Sequence, residues 1–326
     1  MSQDKGNSKG RRNHGHSHNK NRKQINVGDK GREVLAKINE NSPVIKQFQE
    51  YAVELDAKHD RYERLIKISR DITIESKRII FLLHTLDKES KKNAVLGEAE
   101  KRLNNLITVL FKNIAQELDG EDSYHYLRAY RAGLQEFVEA ITFYWFLQNS
   151  TLYNWNKLEE SFNYTINISK PNETEKNEKT DEANEFDQTN QIEITEVTND
   201  SDQLIEQKTI HFLMPPADYI LGIADLTGEL MRKCINNLAS GDISSCYQTC
   251  NFVRNMYKGF LGCVGISGRE VARKLYTLRQ SLIKMENVCY TIKVRGSEIP
   301  KHMLADVATI AAEDVNIEDD EGYQVY

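Results

Sequence analysis

Residues 133–146 read GLQEFVEAITFYWF. Apart from Gln135, Glu136, Glu139 and Thr142 the stretch is apolar, and it shows no strand-like alternation. It predicts a largely buried helix. On a helix, positions i and i+3 share a face, so Glu136 and Glu139 project together. Leu134, Phe137, Val138, Ile141 and Phe143 leave only a narrow polar strip of Arg128, Ala132, Gln135, Glu136, Glu139 and Thr142. A buried helix that keeps two carboxylates side by side needs something to neutralise them.

A second strip lies in ADYILGIADLTGELMRKC, residues 217–234. Asp218, Gly222, Asp225 and Glu229 follow one another in steps of 4, 3 and 4 among Tyr219, Leu221, Ile223, Leu226 and Leu230. Asp225 and Glu229 share a face, and Gly222 lets a ligand or another helix come close. Burying one unpaired carboxylate costs several kcal/mol, and several together repel. Arginines or a divalent cation would relieve the strips. If they face each other, Glu136, Glu139, Asp225 and Glu229 converge with no His or Cys among them. All-oxygen ligation suits Mg²⁺, or Mn²⁺ in its place, rather than zinc. Ferritin-like di-iron sites use Glu-x-x-His, and Glu139 stands where that histidine would be. A hard cation held by carboxylates points to phosphoryl chemistry. The opposing reading is a structural ion-pair cluster in a charge-rich helical protein. Asp71 and Glu75 form such a pair, with Lys67, Arg70, Lys77 and Arg78 nearby.

The rest of the chain predicts an all-α fold, a bundle of about six or seven long helices. Only five prolines occur in 326 residues, without recurrent Gly/Pro turn clusters, which argues against an all-β protein. Ser42 and Pro43 start a helix whose apolar stripe runs Val44, Phe48, Tyr51, Leu55, Tyr62, Leu65, Ile72, Ile79 and Leu83. The simplest use of that stripe is intramolecular core. Further helices are predicted near 96–118, from 121–123 to about 148, from Pro216 to about Leu238 and after Gly241-Asp242. A last long one opens on a Ser267-Gly-Arg-Glu270 capping box. Residues 294–307 predict a basic loop and a short helix. No strand pattern stands out.

The net charge of −6 hides three unlike pieces. Residues 1–35 carry nine Lys/Arg and three Asp/Glu, a disordered basic arm suited to nuclear import or RNA phosphates. Residues 171–206 carry twelve Asp/Glu and two Lys, a disordered acidic insertion. Residues 313–326 form an acidic tail. A single domain is expected over 36–312, carrying 32 basic and 28 acidic residues once the insertion is set aside. That mild positive balance permits a nucleic-acid partner. There is no apolar signal segment, and the longest apolar run, AITFYWFL at 140–147, is too short to span a bilayer. No membrane association and a cytoplasmic and nuclear location are expected. Cys234, Cys246, Cys250, Cys263 and Cys289 form no CxxC pair and predict ordinary buried thiols.

Several stretches resemble the translin family: ELDAKHDRYERLIKISRDITIESKRIIFLLH (54–84), AQELDGED (115–122), GLQEFVEA (133–140), DYILGIADLTGELMR (218–232) and KLYTLRQSLIKMENVCYTIKVRGSEIPKHMLADV (274–307). The match favours the translin-associated branch of that family over translin itself. The resemblance implies an all-α fold and a hetero-oligomer with translin. It implies Mg²⁺-dependent endoribonuclease activity on single-stranded RNA, with single-stranded DNA as a further ligand. It also implies removal of the passenger strand from the RNA-induced silencing complex in RNA interference. Its catalytic and metal-binding carboxylates fall at Glu136, Glu139 and Asp225, with Glu229 adjoining. Arg128, Arg232, Arg295 and Lys301 are candidate RNA guides. The alternatives are a non-catalytic nucleic-acid-binding adaptor that stabilises translin and an all-α nucleotide pyrophosphatase.

Overall fold

The computed structural model describes residues 31, 41–86, 89–169, 195–197, 205–239, 241–263, 268–296, 298, 300 and 303. The acidic tail, Lys301 and all of the basic arm but Gly31 lie outside them. The contacts divide the chain into two compact units, residues 1–57 and 58–326.

Helix α1 spans Pro43–His84, and the Ser42 carbonyl accepts from Lys46 N at 3.1 Å, so the predicted start holds. Within the first unit the apolar stripe is not core. Val44, Phe48, Tyr51 and Leu55 are 59%, 65%, 48% and 65% exposed. A heptad-like period tells which residues share a face, and nothing about whether another element covers it.

In the second unit the same stripe is buried, with Leu65, Ile72, Ile79 and Leu83 wholly inaccessible. Helix α2 (Glu89–Asn105) runs through a π-helical segment, Leu106–Phe111, into α3 (Lys112–Glu117). The sequence predicts this as one uninterrupted helix. The Ile107 carbonyl instead accepts from Tyr164 OH at 2.9 Å, a side-chain bond alongside the loosened ladder. Gly120, at φ 77°, takes the left-handed turn that follows. Helix α4 (Ser123–Asn149) opens on Asp122, whose side chain accepts from Tyr124 N at 2.9 Å. A short α5 (Trp155–Glu160) follows. Helix α6 (Pro216–Ala239) starts at the predicted prolines. Gly241, at φ 81°, turns the chain, and Asp242 caps α7 (Ile243–Cys263) through Ser245 N at 3.1 Å. Helix α8 covers Gly268–Arg295.

Helix α6 is the hub and packs on α4, α7 and α8. Gly222 makes its contact with α4 possible: a Cβ there would lie 2.7 Å from Val138 Cβ. Of the two roles open to this glycine, it serves helix packing. Gly133 does the same where α1 crosses α4, since its Cβ would sit 2.6 Å from the Ser69 carbonyl oxygen. These close approaches bring α1, α4 and α6 together around the polar strips.

Three strands correct the expectation of none. β1 (Asn163–Ser169), β2 (Thr195–Val197) and β3 (Ile205–His211) form an antiparallel sheet in the order β1-β3-β2, with Asn163 opposite His211 and Ser169 opposite Ile205. Phe162 and Phe212, at the base of this sheet, are fully buried beside Phe111, with ring centroids 5.0 and 4.9 Å from it. Each fully buried phenylalanine contributes ~1.5–3 kcal/mol, so the stem of the insertion belongs to the core. Within 171–206 the residues described, 195–197 and 205–206, are strand, and the remainder of the predicted disorder lies outside the described residues. Among the described residues no helix is long and apolar enough to cross a membrane.

Candidate functional site

The two polar strips face each other. Glu136 and Glu139 from α4 and Asp225 and Glu229 from α6 line one cavity of about 580 Å³, with Lys77 of α1 and Lys274 of α8 beside them. All four predicted site carboxylates are therefore brought together. Asp218, on the same strip of α6, is not among them. It is 1% exposed and accepts from Arg131 Nε and, at 2.7 Å, from Gln135 Nε2.

Three of the four carboxylates have basic partners. Lys77 Nζ lies 3.0 Å from Glu136 Oε1, and Lys274 Nζ donates to Asp225 Oδ1. His84 Nε2 lies 2.5 Å from Glu229 Oε2, with Arg232 Nη1 at 3.5 Å on the same oxygen. The His84 ring rests on Phe143 at 4.9 Å, and among the described residues its buried Nδ1 has no hydrogen-bond partner. Burial works against the charged form of Glu229, but the His84 hydrogen bond and the Arg232 charge outweigh it and hold the carboxyl below its usual value. The Glu136 carboxylate raises the Lys77 ammonium in turn.

Glu139 is different. Its carboxyl has no hydrogen-bond or ion-pair partner among the described residues. Burial, reinforced by the charges of Asp225, Glu136 and Glu229, pushes it up to about 8, against a smaller opposing pull from Lys274. Like-charge crowding in a partly closed cavity is a mark of a functional site more than of a structural ion pair. Glu75 shows what the structural kind looks like: Arg102 sits at 2.6 Å and Arg78 at 3.5 Å, and the Arg102 hydrogen bond leads the effects that lower its carboxyl. Among the described residues no three Asp, Glu, His or Cys side chains are gathered tightly enough to hold a metal ion. Lys77, Lys274 and His84 already occupy oxygens of Glu136, Asp225 and Glu229.

These three bases were not readable beforehand. Lys77 and His84 stand seven residues apart on α1 and share its face, but a single charge every second turn carries no pattern above the background of a charged helix. No histidine falls on either strip, and His84 reaches Glu229 from α1 instead. Of the four candidate RNA guides, Arg232 lines the acidic cavity and Arg128 lines a neighbouring one. Arg295 is the exposed last residue of α8, and Lys301 lies outside the described residues.

An all-α bundle with a half-buried carboxylate cluster between two central helices defines the class, and the sequence comparisons give it a family. The Translin family model matches residues 60–296, and the chain belongs to that family. It is similar to translin-associated protein X of Pongo abelii, 42% identical over 91% of this chain and 95% of that protein. It is likewise 42% identical to translin-associated protein X of Mus musculus, over 86% of this chain and 88% of that one. The solved structure of apo-NeC3PO superposes with a TM-score of 0.49 at 17% identity, covering 76% of this chain and 96% of that one.

Proposed function

We propose that this chain is the catalytic subunit of a Mg²⁺-dependent endoribonuclease that cuts single-stranded RNA, assembled with translin as a hetero-oligomer. The observation that carries this reading is the cavity in which four carboxylates meet and Glu139 is pushed up to about 8 by burial and its neighbours. The name of the relatives, translin-associated protein X, supports translin as the partner.

In its chemistry, though not in the spacing seen here, the donor set suits a hard divalent cation. Every candidate ligand is a carboxylate oxygen, and the cluster carries repulsion that such an ion relieves. Glu136, Glu139 and Asp225 would hold Mg²⁺, or Mn²⁺ in its place, with Glu229 completing or orienting the set. Bound there, the ion supplies Lewis-acid polarisation of a phosphodiester and neutralisation of its developing charge. His84, pinned between Phe143 and Glu229, fixes the orientation of that carboxylate. Lys77 and Lys274 compensate Glu136 and Asp225 while no cation is held. Were those carboxylates to hold an ion, both ammonium groups would be free to face a phosphate. The passenger strand of an RNA-induced silencing complex, cut in the cytoplasm or nucleus, is the substrate the family resemblance implies. Single-stranded DNA is a further ligand.

One observation favours a second reading, a non-catalytic nucleic-acid-binding adaptor: three of the four carboxylates already have basic partners. Incubation of end-labelled single-stranded RNA with the full chain co-purified with translin, in Mg²⁺ and in EDTA, separates the two. Internal cleavage in Mg²⁺ that EDTA abolishes is the expected result. RNA binding without cleavage under both conditions leaves the adaptor.

A further inference from the structure

Beside the acidic cavity lies a second one of about 300 Å³ with the opposite chemistry. Arg128 and Arg131 reach it from α4, and Arg273 and Lys274 from α8, against one lining carboxylate, Glu270. Lys274 lines both cavities, so the two are neighbours across a single side chain.

The basic cavity is partly preorganised. Arg131 Nε donates to the buried Asp218, and Arg131 Nη2 lies 2.6 Å from Glu270 Oε2, so its guanidinium is held from two sides. Gln135 shares Asp218 at 2.7 Å and steadies it from behind. Arg128 and Arg273 are exposed, and among the described residues neither has a carboxylate partner. Two uncompensated guanidiniums beside a fixed third suit an anion with several oxygens, because the planar fork matches phosphate geometry. Helix α4 also sets the spacing. Arg131 and Arg128 stand about 7.5 and 12 Å along its axis from Glu136, within reach of the neighbouring nucleotide of an extended strand.

We propose that the Arg128–Arg273 cavity binds the backbone phosphate of single-stranded nucleic acid adjacent to the phosphate held at the carboxylates. This inference rests on the proposed function, in which the acidic cavity takes a phosphodiester. The subsite discriminates by length: a polynucleotide spans Lys274 and engages both cavities, whereas a dinucleotide fills only the acidic one.

The test uses the full chain co-purified with translin and carrying Arg128→Gln, Arg273→Gln or both. Both positions are exposed, so the variants should keep the wild-type melting temperature, which is measured first. The double variant should raise KM for a single-stranded oligoribonucleotide by roughly tenfold or more, with the loss falling on KM rather than kcat. The dependence of log affinity on log salt should flatten by about one per phosphate contact removed. The loss should be several-fold smaller for a dinucleotide. Equal losses on both substrates, or none on the oligonucleotide, overturn the subsite. Fluorescence anisotropy of the same oligonucleotide in EDTA keeps the two readings apart. Weaker, less salt-dependent binding by the double variant in EDTA, with no cleavage by wild type in Mg²⁺, supports the subsite and removes the nuclease. Equal binding by wild type and the double variant removes the subsite whether or not RNA is cut.

Discussion

Helix α6 carries two clusters of like side chains, and they are held in opposite ways. Upstream, Asp225 and Glu229 meet Glu136 and Glu139 and require cations from α1 and α8. Downstream, Cys234 meets Cys246 and Cys289, and Cys250 meets Cys289; all four are buried free thiols, with the Arg254 guanidinium 3.8 Å from Cys250 Sγ at the edge of the cluster. Cys246 Sγ donates to the Cys234 carbonyl at 3.0 Å, and hydrogen bonds to Cys246 and Cys289, with burial, keep the Cys234 thiol protonated. The same hydrogen bonds lower the Cys289 thiol, yet the cluster is built of small, buried side chains that pack as core. Carboxylates crowd at a cost that only a ligand or counter-charge relieves. One helix thus shows where stability is built and, two turns earlier, where it is given up.

The sharpest break between the clusters should be catalytic. Glu136→Gln, Glu139→Gln and Asp225→Asn should each reduce RNA cleavage by at least ~10²-fold, the scale of losing one electrostatic contributor. Cys234→Ala and Cys289→Ala should stay within about twofold of wild type. Initial rates on labelled RNA decide it. Amide variants with full activity would make the acidic cluster as structural as the thiols.

Stability against pH is the next largest contrast. A carboxyl raised from 4.5 to about 8 binds its proton more tightly in the folded chain. The stability this contributes is fully present below the unfolded value near 4.5 and is lost as pH rises through about 8. In EDTA the wild type should lose at most a few kcal/mol across that window, and Glu139→Gln should flatten the slope and melt higher at its upper end. Urea titrations at several pH values read this directly. An unchanged slope in Glu139→Gln would mean that another group titrates.

Core packing gives a smaller effect of opposite sign. Cys234→Ala removes one buried sulfur and should cost about 1–2 kcal/mol, independent of Mg²⁺. Wild type, by contrast, should melt higher when Mg²⁺ is added, because a ligand that binds only the native state stabilises it. A Mg²⁺ response lost in Cys234→Ala but kept in Glu139→Gln would reverse the roles of the clusters.

What was legible in the sequence was local. Pro43, Asp122, Pro216 and Gly241-Asp242 mark helix ends because caps act on the next turn. Helical spacing pairs Glu136 with Glu139 and Asp225 with Glu229, and the structure meets the further condition that the two strips face each other. The non-local features were lost. β1 alternates Tyr164, Ile166 and Ile168, yet its partner β3 lies about forty residues on, past an acidic segment that reads as disorder. Asp218 shares a strip with Asp225 but pairs with Arg131, which no spacing on α6 reveals. Val44, Phe48, Tyr51 and Leu55 repeat like core and are exposed.

The smallest effect concerns the bases around the acidic cluster and tests whether they are structural. Lys77 is 63% exposed, and its partner Glu136 is 26% exposed. A pair this open to water is worth ~0–1 kcal/mol, so Lys77→Met should barely move the melting temperature in EDTA. Its effect on Mg²⁺ should have a definite sign. Removing an ammonium that competes for Glu136 leaves the cluster more negative, so less Mg²⁺ should be needed for half-maximal stabilisation, by a few-fold at most. Thermal melts across a Mg²⁺ series measure this without any cleavage assay. A Lys77→Met protein that is destabilised by several kcal/mol and indifferent to Mg²⁺ would show that the lysine is a structural member of the bundle. The acidic cluster would then differ from the thiol cluster only in the kind of bond that closes it.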